Sequence, residues 1–552
     1  MNKDKAQPDA GLRSLNHSLN CSSPEPDADG TPSPLLDQRK LPRWRYWVRQ
    51  KTLPLVRWET PYLAWFQERM RTPFLDTWFA VSANLGTHTF YMVMLPILFW
   101  CGYTQLGRAI VHLLASGVFF SGFIKDLLCL PRPLSPPLQR ITMSGSAALE
   151  YGFPSTHSTN AVSVVVYAIH SLNSAESTLS PFAKALFQFL LFVYGTSIVV
   201  GRLYCGMHGF LDVVAGCALG ALLGFIQCAY GALIDEYVLS GSFQGLFLVA
   251  LVILVLVRIH PEPADSCPCF DDSVSFAGVL IGVEAGGWHF GKTTLGSPVP
   301  IPGSVVFDLQ ELGWFKAVVR IVLGVATVFV WREVMKPSLL RVLPPLFRVI
   351  EKLGLSLPRR FFTKASEYKR VPDHLKDNDV IPNVSEIPSM LTSIRHPRRR
   401  AVSVGPQSEA DAYETLAYRE HRRRLSTSSA NRAADTRSSP LAAGPENSDS
   451  SHSAPDPKHP KPPRSANRSP LRLHEYEHMM GTGTPVYEQN GTDKDGGSAR
   501  QSPDYSKSQN EEDMFLMITK PRVRYDVEVV TKLIVYTDLG HKGLTLFTLH
   551  VI

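Results

Sequence analysis

The chain has 552 residues, of which 44% are hydrophobic and 19% are charged, and its formal net charge is +7. The charged residues concentrate at the two ends, so the middle of the chain is apolar and nearly uncharged. This distribution excludes an ordinary soluble multidomain protein, and a small net charge confined to the tails argues against a nucleic-acid partner. We therefore expect a membrane-embedded core between two solvated ends.

The N-terminal region has two parts. Residues 1–38 are rich in Ser, Pro, Asp and Asn, which predicts a disordered tail. Residues 39–75 mix cations with Trp and Tyr, a pattern typical of a basic segment that lies on a membrane face. No apolar signal-peptide core is visible, so we expect the first span to act as an uncleaved insertion signal.

Residues 76–335 form the predicted membrane-embedded domain. Crossing a bilayer takes about 20 apolar residues, and the apolar runs here lack two-residue alternation, which favours helices over barrel strands. The predicted fold class is all-α, a polytopic membrane helical bundle of about eight or nine spans. We expect Glu284 in the seventh run to pair with Lys316 or Arg320 in the eighth, unless these cations snorkel. The candidate spans are 77–102, 109–128, 160–172, 182–200, 209–233, 241–257, 274–290 and 314–330.

Three segments follow this domain. Residues 336–384 include apolar residues at helical spacing with cations between them, which predicts an amphipathic segment at the interface. Residues 385–510 are rich in Ser, Pro and Arg and predict disorder, with candidate kinase sites at Ser403 and Ser426 after runs of arginine. Residues 511–552 are apolar again and could form either a further span or a docked terminal segment.

The eight cysteines do not predict a metal site. Most lie in or beside apolar runs, where a thiol usually packs as a small hydrophobe. Cys267 and Cys269 form a C-x-C pair in a Pro-rich loop without two further spaced ligands, so we expect no zinc there. The sequence leaves open whether any cysteine forms a disulfide.

Three polar islands interrupt the apolar runs. The first reads K-x6-R-P from Lys125 to Pro133, the second is YGFPSTHSTN at 151–160, and the third reads R-x5-H-x3-D from Arg202 to Asp212. A charged residue inside a span costs roughly 2.5–3.5 kcal/mol, so such residues tend to mark function. Counting the membrane crossings between them places all three islands at one membrane face. Unrelated residues at span ends would not need to share a face.

The cations of these islands suit a phosphate group. Lys125, Arg132 and Arg202 would supply three positive charges to a monoester that carries about −1.5 to −2. Lysine offers a point charge, and arginine offers a planar fork for two phosphate oxygens. The Ser155 hydroxyl and the N–H groups of a helix starting there would add hydrogen bonds. We therefore predict a phosphate cradle at a bilayer face.

The histidines suit nucleophilic attack on phosphorus. His208 and Asp212 are four residues apart, so a helix would bring them within hydrogen-bond reach on one face. An Asp that accepts the proton of one ring nitrogen leaves the other nitrogen free as a nucleophile. His157 would protonate the departing alkoxide. The predicted reaction is in-line attack by His208, formation of a phosphohistidine and its hydrolysis, and it requires no metal.

The islands resemble the three motifs of the type 2 phosphatidic acid phosphatase (PAP2) superfamily, K-x6-R-P, P-S-G-H and S-R-x5-H-x3-D. Thr156 stands where the second motif has Gly, and Gly201 stands where the third has Ser. The longer stretches KDLLCLPRPLSPP, EYGFPSTHSTNA and GRLYCGMHGFLDVVAG are similar to the long-chain base 1-phosphate phosphatases of that superfamily. This resemblance extends over roughly residues 60–350.

The resemblance implies a six-helix catalytic core in the endoplasmic reticulum membrane, with no cofactor and a role in sphingolipid metabolism. The implied substrate is a lipid phosphate in the bilayer, namely a sphingosine-type or dihydrosphingosine-type 1-phosphate. The implied catalytic residues are His208 as nucleophile, Asp212 as its orienting partner and His157 as acid. The implied phosphate-binding residues are Lys125, Arg132, Ser155, Thr156 and Arg202.

Two alternatives stay open. A phosphatase for another lipid phosphate, such as phosphatidate, would use the same phosphate contacts. Discrimination between such a lipid and a long-chain base phosphate would need contacts beyond the phosphate. Asp126 and Glu150 adjoin the islands and are candidates for pairing with a substrate amine. Outside the enzymes, a transporter or lipid-binding scaffold with an inactive site is the alternative, although the chain shows no internal repeat.

Two arguments disagree on the membrane face of the islands. Lys and Arg flank the spans at both ends, and the positive-inside rule then places the island face in the cytosol. The family resemblance implies the lumen, and a re-entrant segment near residues 53–66 would reconcile the two. Glycosylation of the tails would place them in the lumen. The sequons are Asn16, Asn20, Asn383, Asn467 and Asn490.

Overall fold

The computed structural model describes residues 41–135, 138–141, 150–174, 179–240, 242–262, 267–292, 313–355, 362–372 and 524–545. Within these ranges the chain forms eleven helices and one pair of two-residue strands, so the all-α fold class is confirmed. The predicted tails 1–38 and 385–510 lie outside the described residues. So do Ser403, Ser426 and the five sequons.

The helices follow one another with mostly short connections. Thr72 and Ser180 cap the second and sixth helices, and a proline follows each cap in the first helical position. The helices are α1 Arg43–Met70, α2 Pro73–Asn84, α3 His88–Trp100, α4 Thr104–Leu128, α5 Thr156–Asn173, α6 Pro181–Tyr204, α7 Phe210–Ser240, α8 Phe243–Ile259, α9 Cys269–Lys292, α10 Trp314–Lys352 and α11 Asp526–Thr545. The strands β1 Phe362–Thr363 and β2 Arg524–Tyr525 pair in parallel.

Four of these helices, α4, α6, α7 and α10, are long and apolar enough to cross a membrane. The chain is therefore a multi-pass membrane protein. The predicted first span at 77–102 is not one helix, since α2 ends at Asn84 and α3 begins at His88. The Thr87 hydroxyl caps α3 by accepting from Phe90 N at 3.3 Å, and this capped turn explains the break.

Two pairs of helices pack through glycines spaced four residues apart. This spacing puts the glycines on one helix face and lets two backbones approach closely. A methyl group at Gly224 would lie 2.9 Å from Val166, and one at Gly278 would lie 2.9 Å from Leu533 O. The first pair brings α5 and α7 together, and the second docks the C-terminal helix α11 against α9. The glycines are Gly216, Gly220 and Gly224 on α7 and Gly278, Gly282 and Gly286 on α9.

Helix α1 lies along one end of the bundle. Near its start Arg45 donates to Leu127 O at 2.8 Å, and near its end Gln67 donates to Tyr204 O at 2.8 Å. These carbonyls belong to the ends of α4 and α6 on the same side, so α1 contacts one end of the bundle at both of its own ends. The exposed face of α1 carries several tryptophans, which suits contact with a lipid–water interface.

A buried ion-pair network lies near the start of α4. Arg108 Nη2 is 2.6 Å from Asp235 Oδ1 and 2.9 Å from Glu284 Oε2. His112 Nε2 is 2.5 Å from Glu284 Oε1. The expected pairing of Glu284 with a cation of α10 is therefore wrong, and Arg320 of that helix instead donates to a backbone carbonyl.

Candidate active site

The structure brings the three polar islands together at one end of the bundle. Lys125 lies in the last turn of α4, and Arg202 lies in the last turn of α6. Ser155 is the cap that precedes α5, and His208 lies in the loop before α7. Two helix ends and two helix starts therefore surround one site.

Lys125 is buried and contacts the second island. Its Nζ donates to Thr156 Oγ1 at 2.7 Å and to Glu150 Oε2 at 2.7 Å. Thr156 Oγ1 also forms a hydrogen bond with Ser121 Oγ at 2.9 Å. These bonds hold the ammonium group at the start of α5, where the free N–H groups and the helix dipole favour an anion.

Arg132 bridges the second and third islands. Its Nε donates to Glu150 O at 2.9 Å, and its Nη1 donates to Met207 O at 2.6 Å. Nη1 also lies 3.0 Å from His208 Nε2. The guanidinium is thus fixed against one ring nitrogen of His208, the residue that the sequence predicts as the nucleophile.

Arg202 is buried, and one of its N–H donors makes no hydrogen bond to the described residues. Its side chain is 5% exposed, and its Nε has no hydrogen-bond partner within the described residues. A buried polar group without a partner costs free energy, and the cost is larger when the group is charged. An anion bound beside Lys125 and Arg132 would satisfy it.

The two ring nitrogens of His208 have different partners. Nδ1 lies 2.9 Å from Gly152 O, which can only accept, so Nδ1 carries the proton. Nε2 then keeps its lone pair and accepts from Arg132 at 3.0 Å. Burial, followed by the charges of Arg132, Lys125 and Arg202, lowers the pKa of His208 well below its usual value. The imidazole is therefore neutral at neutral pH, as a nucleophile must be.

Asp212 does not hold His208 in the predicted way. His208 precedes α7 instead of lying on it, and Asp212 Oδ2 is 3.6 Å from His208 Nδ1, beyond hydrogen-bond distance. Oδ2 accepts from Gly209 N at 2.8 Å, and the Asp212 carbonyl accepts from Ser155 N at 2.9 Å. Asp212 thus contacts the loop that carries His208, and its carboxylate lies near the imidazole without a hydrogen bond to it.

The start of α5 supplies Ser155 and His157. Ser155 Oγ caps the helix by accepting from Ser158 N at 3.3 Å and from Ser158 Oγ at 2.9 Å. His157 is half-buried and close enough to His208 for its positive charge to lower the pKa of His208. The predicted acid therefore lies in the first turn of the helix that Ser155 caps, within electrostatic range of His208.

The sequence analysis did not identify Glu59 of α1. This residue is 3% exposed, and its Oε1 accepts from Leu211 N at 3.0 Å at the start of α7. A methyl group at Gly209 would collide with Glu59 Oε2, so a larger residue there would displace the Glu59 carboxylate. Glu59 is one of only two acids in the basic segment 39–75. An acid among so many basic residues is the one sequence signal that could have pointed to it.

Comparisons with known proteins indicate the same family as the three sequence motifs. Residues 106–232 match the family model described as the PAP2 superfamily. The chain is 40% identical over 304 residues to a dihydrosphingosine 1-phosphate phosphatase of Schizosaccharomyces pombe, covering 55% of this chain and 72% of that relative. It is 35% identical over 298 residues to a dihydrosphingosine 1-phosphate phosphatase of Saccharomyces cerevisiae, covering 53% and 70%. It is 26% identical over 302 residues to sphingosine-1-phosphate phosphatase 2 of Homo sapiens, covering 52% and 73%.

No solved structure matches the chain. The matched region 106–232 contains all the predicted site residues, from Lys125 to Asp212. The long alignments with two yeast relatives extend well beyond that region. The chain therefore belongs to the PAP2 superfamily and, within it, to the long-chain base 1-phosphate phosphatases.

Proposed function

We propose that this protein is a metal-independent lipid phosphatase that hydrolyses long-chain base 1-phosphates such as dihydrosphingosine 1-phosphate. The observation that carries the proposal is the convergence of three cations on a neutral imidazole whose Nε2 contacts Arg132 at 3.0 Å. The relatives named as dihydrosphingosine or sphingosine 1-phosphate phosphatases support the substrate class. The reaction converts a phosphorylated base into the free base and inorganic phosphate, a step of sphingolipid metabolism.

The reaction begins with attack by His208. Its Nε2 donates a lone pair to phosphorus, and the bond to the ester oxygen breaks as His157 gives that oxygen a proton. The lipid leaves as an alcohol, and the phosphoryl group remains on His208. Water then attacks the phosphorus while His157 takes its proton, and inorganic phosphate leaves with His208 restored.

The cradle stabilises the negative charge on the transferred phosphoryl group. Arg132 bonds to His208 Nε2 before substrate arrives, so a bound phosphate must draw the guanidinium onto its own oxygens and release the lone pair. Asp212 stabilises the positive charge that develops on the imidazole ring. The residues that contact the phosphate oxygens are Lys125, Arg132, Ser155, Thr156 and Arg202.

We place the enzyme in the endoplasmic reticulum membrane with its catalytic face in the lumen, as the family resemblance implies. Because α1 lies at the catalytic end of the bundle, the chain near residue 41 is on the catalytic side. We expect Asn16 or Asn20 to be glycosylated in cells, seen as a mobility shift that a glycosidase removes. Cleavage of the N-terminal tail by protease added outside sealed microsomes would contradict the lumenal face.

The substrate class can be tested with purified protein and a panel of lipid phosphates. With excess chelator present, we expect dihydrosphingosine 1-phosphate to be hydrolysed at least about tenfold more efficiently than phosphatidate of matched chain length, as measured by kcat/KM from phosphate release. Equal or better turnover of phosphatidate would favour a general lipid phosphatase. Absence of turnover with every substrate would favour the inactive scaffold.

A further inference from the structure

Glu150 pairs with two of the cations that are assigned to the phosphate. Its Oε2 accepts from Lys125 Nζ at 2.7 Å and lies 3.7 Å from Arg132 Nη2. Its backbone carbonyl also accepts from Arg132 Nε at 2.9 Å. A carboxylate therefore already sits where an incoming phosphate must bind.

Two other acids near the site, Asp126 and Glu59, contact groups outside the phosphate cradle. Asp126 is fully buried among the side chains of Cys267, Cys269 and His260. The Glu59 carboxylate accepts from the start of α7. Of the two acids that the sequence analysis considered for a substrate amine, Glu150 is thus the one in contact with the cradle.

The charges of the site favour a substrate that brings its own cation. When His208 is neutral and His157 carries the proton that it donates, the site has four positive and three negative groups, which leaves one net positive charge. The positive groups are Lys125, Arg132, Arg202 and His157, and the negative groups are Glu150, Asp212 and Glu59. A phosphate monoester adds about −1.5 to −2, which turns the buried site negative. One ammonium group beside the phosphate would restore the balance.

We propose that Glu150 selects substrates that carry an amine next to the phosphate. This inference rests on the proposed function, since a long-chain base 1-phosphate has its amine on the carbon adjacent to the phosphorylated one. The phosphate takes over Lys125 and Arg132, and the displaced Glu150 carboxylate pairs with the substrate ammonium. An amine-free lipid phosphate leaves Glu150 buried without a cation, which is unfavourable.

The test compares purified full-length wild-type protein with Glu150→Gln and with Glu68→Gln, an exposed acid on α1 that serves as control. The substrates are dihydrosphingosine 1-phosphate and a matched-chain 1-phosphate with hydrogen in place of the amine. We expect Glu150→Gln to lower the amine-over-amine-free ratio of kcat/KM about tenfold or more. Since glutamine competes less for Lys125, inorganic phosphate should inhibit this variant more strongly than the wild type. Glu68→Gln should change neither quantity.

The two readouts separate the outcomes. An unchanged ratio in Glu150→Gln, or equal wild-type turnover of both substrates, overturns the role of Glu150 and leaves the proposed function standing. A wild-type protein that does not hydrolyse dihydrosphingosine 1-phosphate overturns the proposed function itself. The inference requires that Glu150→Gln frees Lys125 for phosphate. A variant that loses activity without stronger inhibition by inorganic phosphate therefore counts against it.

Discussion

Replacing His208 with asparagine should lower turnover by at least about 10⁴-fold and leave the protein folded. The asparagine amide can still donate to Gly152 O, the acceptor 2.9 Å from Nδ1, but it has no nitrogen lone pair to attack phosphorus. His208→Ala should be equally inactive and less stable, because Gly152 O loses its donor. The measurements are phosphate release and thermal unfolding in detergent.

The same variants test the covalent intermediate. Wild-type protein quenched during turnover of radiolabelled substrate should carry acid-labile phosphate on histidine, and His208→Asn should carry none. The matched control is His170→Ala, an exposed histidine on the helix that carries His157. Normal labelling of His208→Asn, or full activity of that variant, would rule out His208 as the nucleophile.

The cations and histidines of the site could be predicted because the signal is local. Each island lies at a helix end, and counting crossings between islands requires only the lengths of the apolar runs. Where the chain departs from the family motifs, its own packing explains both changes. Thr156 uses its hydroxyl to bind Lys125 at 2.7 Å. A methyl group at Gly201 would lie 3.0 Å from the Phe79 ring, so the serine of the motif would be crowded here.

Partners that are distant in sequence could not be predicted. The acceptor for His208 Nδ1 is the carbonyl of Gly152, which lies 56 residues away in the chain. A backbone carbonyl leaves no trace in residue type, whereas Asp212, four residues away in the chain, offered a visible partner, and its carboxylate lies 3.6 Å from Nδ1. Glu59 reaches the start of α7 across 152 residues, and its role follows from the packing of α1 against the bundle end.

The C-terminal segment shows a further limit of the sequence. Its composition allowed either a span or a docked element, because polar residues such as Asp538 and Lys542 interrupt an apolar run. The structure places α11 against α9, where glycine on α9 leaves room for its backbone. The sequence contained the matching glycines at four-residue spacing, but a single helix does not reveal which partner they face.

The ion-pair network around Arg108 should govern stability separately from catalysis. Arg108 precedes Lys125 by 17 residues on α4, so the network is about 25 Å from the catalytic site. The Arg108 side chain is 1% exposed and contacts Asp235 and Glu284, which are also buried. Removing the arginine leaves two carboxylates buried against one histidine, His112.

We expect Arg108→Ala to destabilise the protein by about 3–5 kcal/mol, because breaking a buried pair leaves uncompensated charge. Arg341→Ala, which removes an exposed arginine of α10, should change stability by less than about 0.5 kcal/mol. Thermal unfolding in detergent measures both. The fraction of Arg108→Ala protein that remains folded should keep a normal kcat, since the cradle is unaltered; a folded variant with lost turnover would mean that the network acts on the site.

Neutralising the whole network distinguishes charge from packing. A triple variant, Arg108→Met with Asp235→Asn and Glu284→Gln, removes every formal charge that Arg108 balances while keeping similar side-chain volumes. We expect it to be more stable than Arg108→Ala although it carries more changes, because neutral partners do not need a buried counter-charge. A triple variant less stable than Arg108→Ala would show that packing and specific hydrogen bonds, and not charge balance, hold this end of the bundle together.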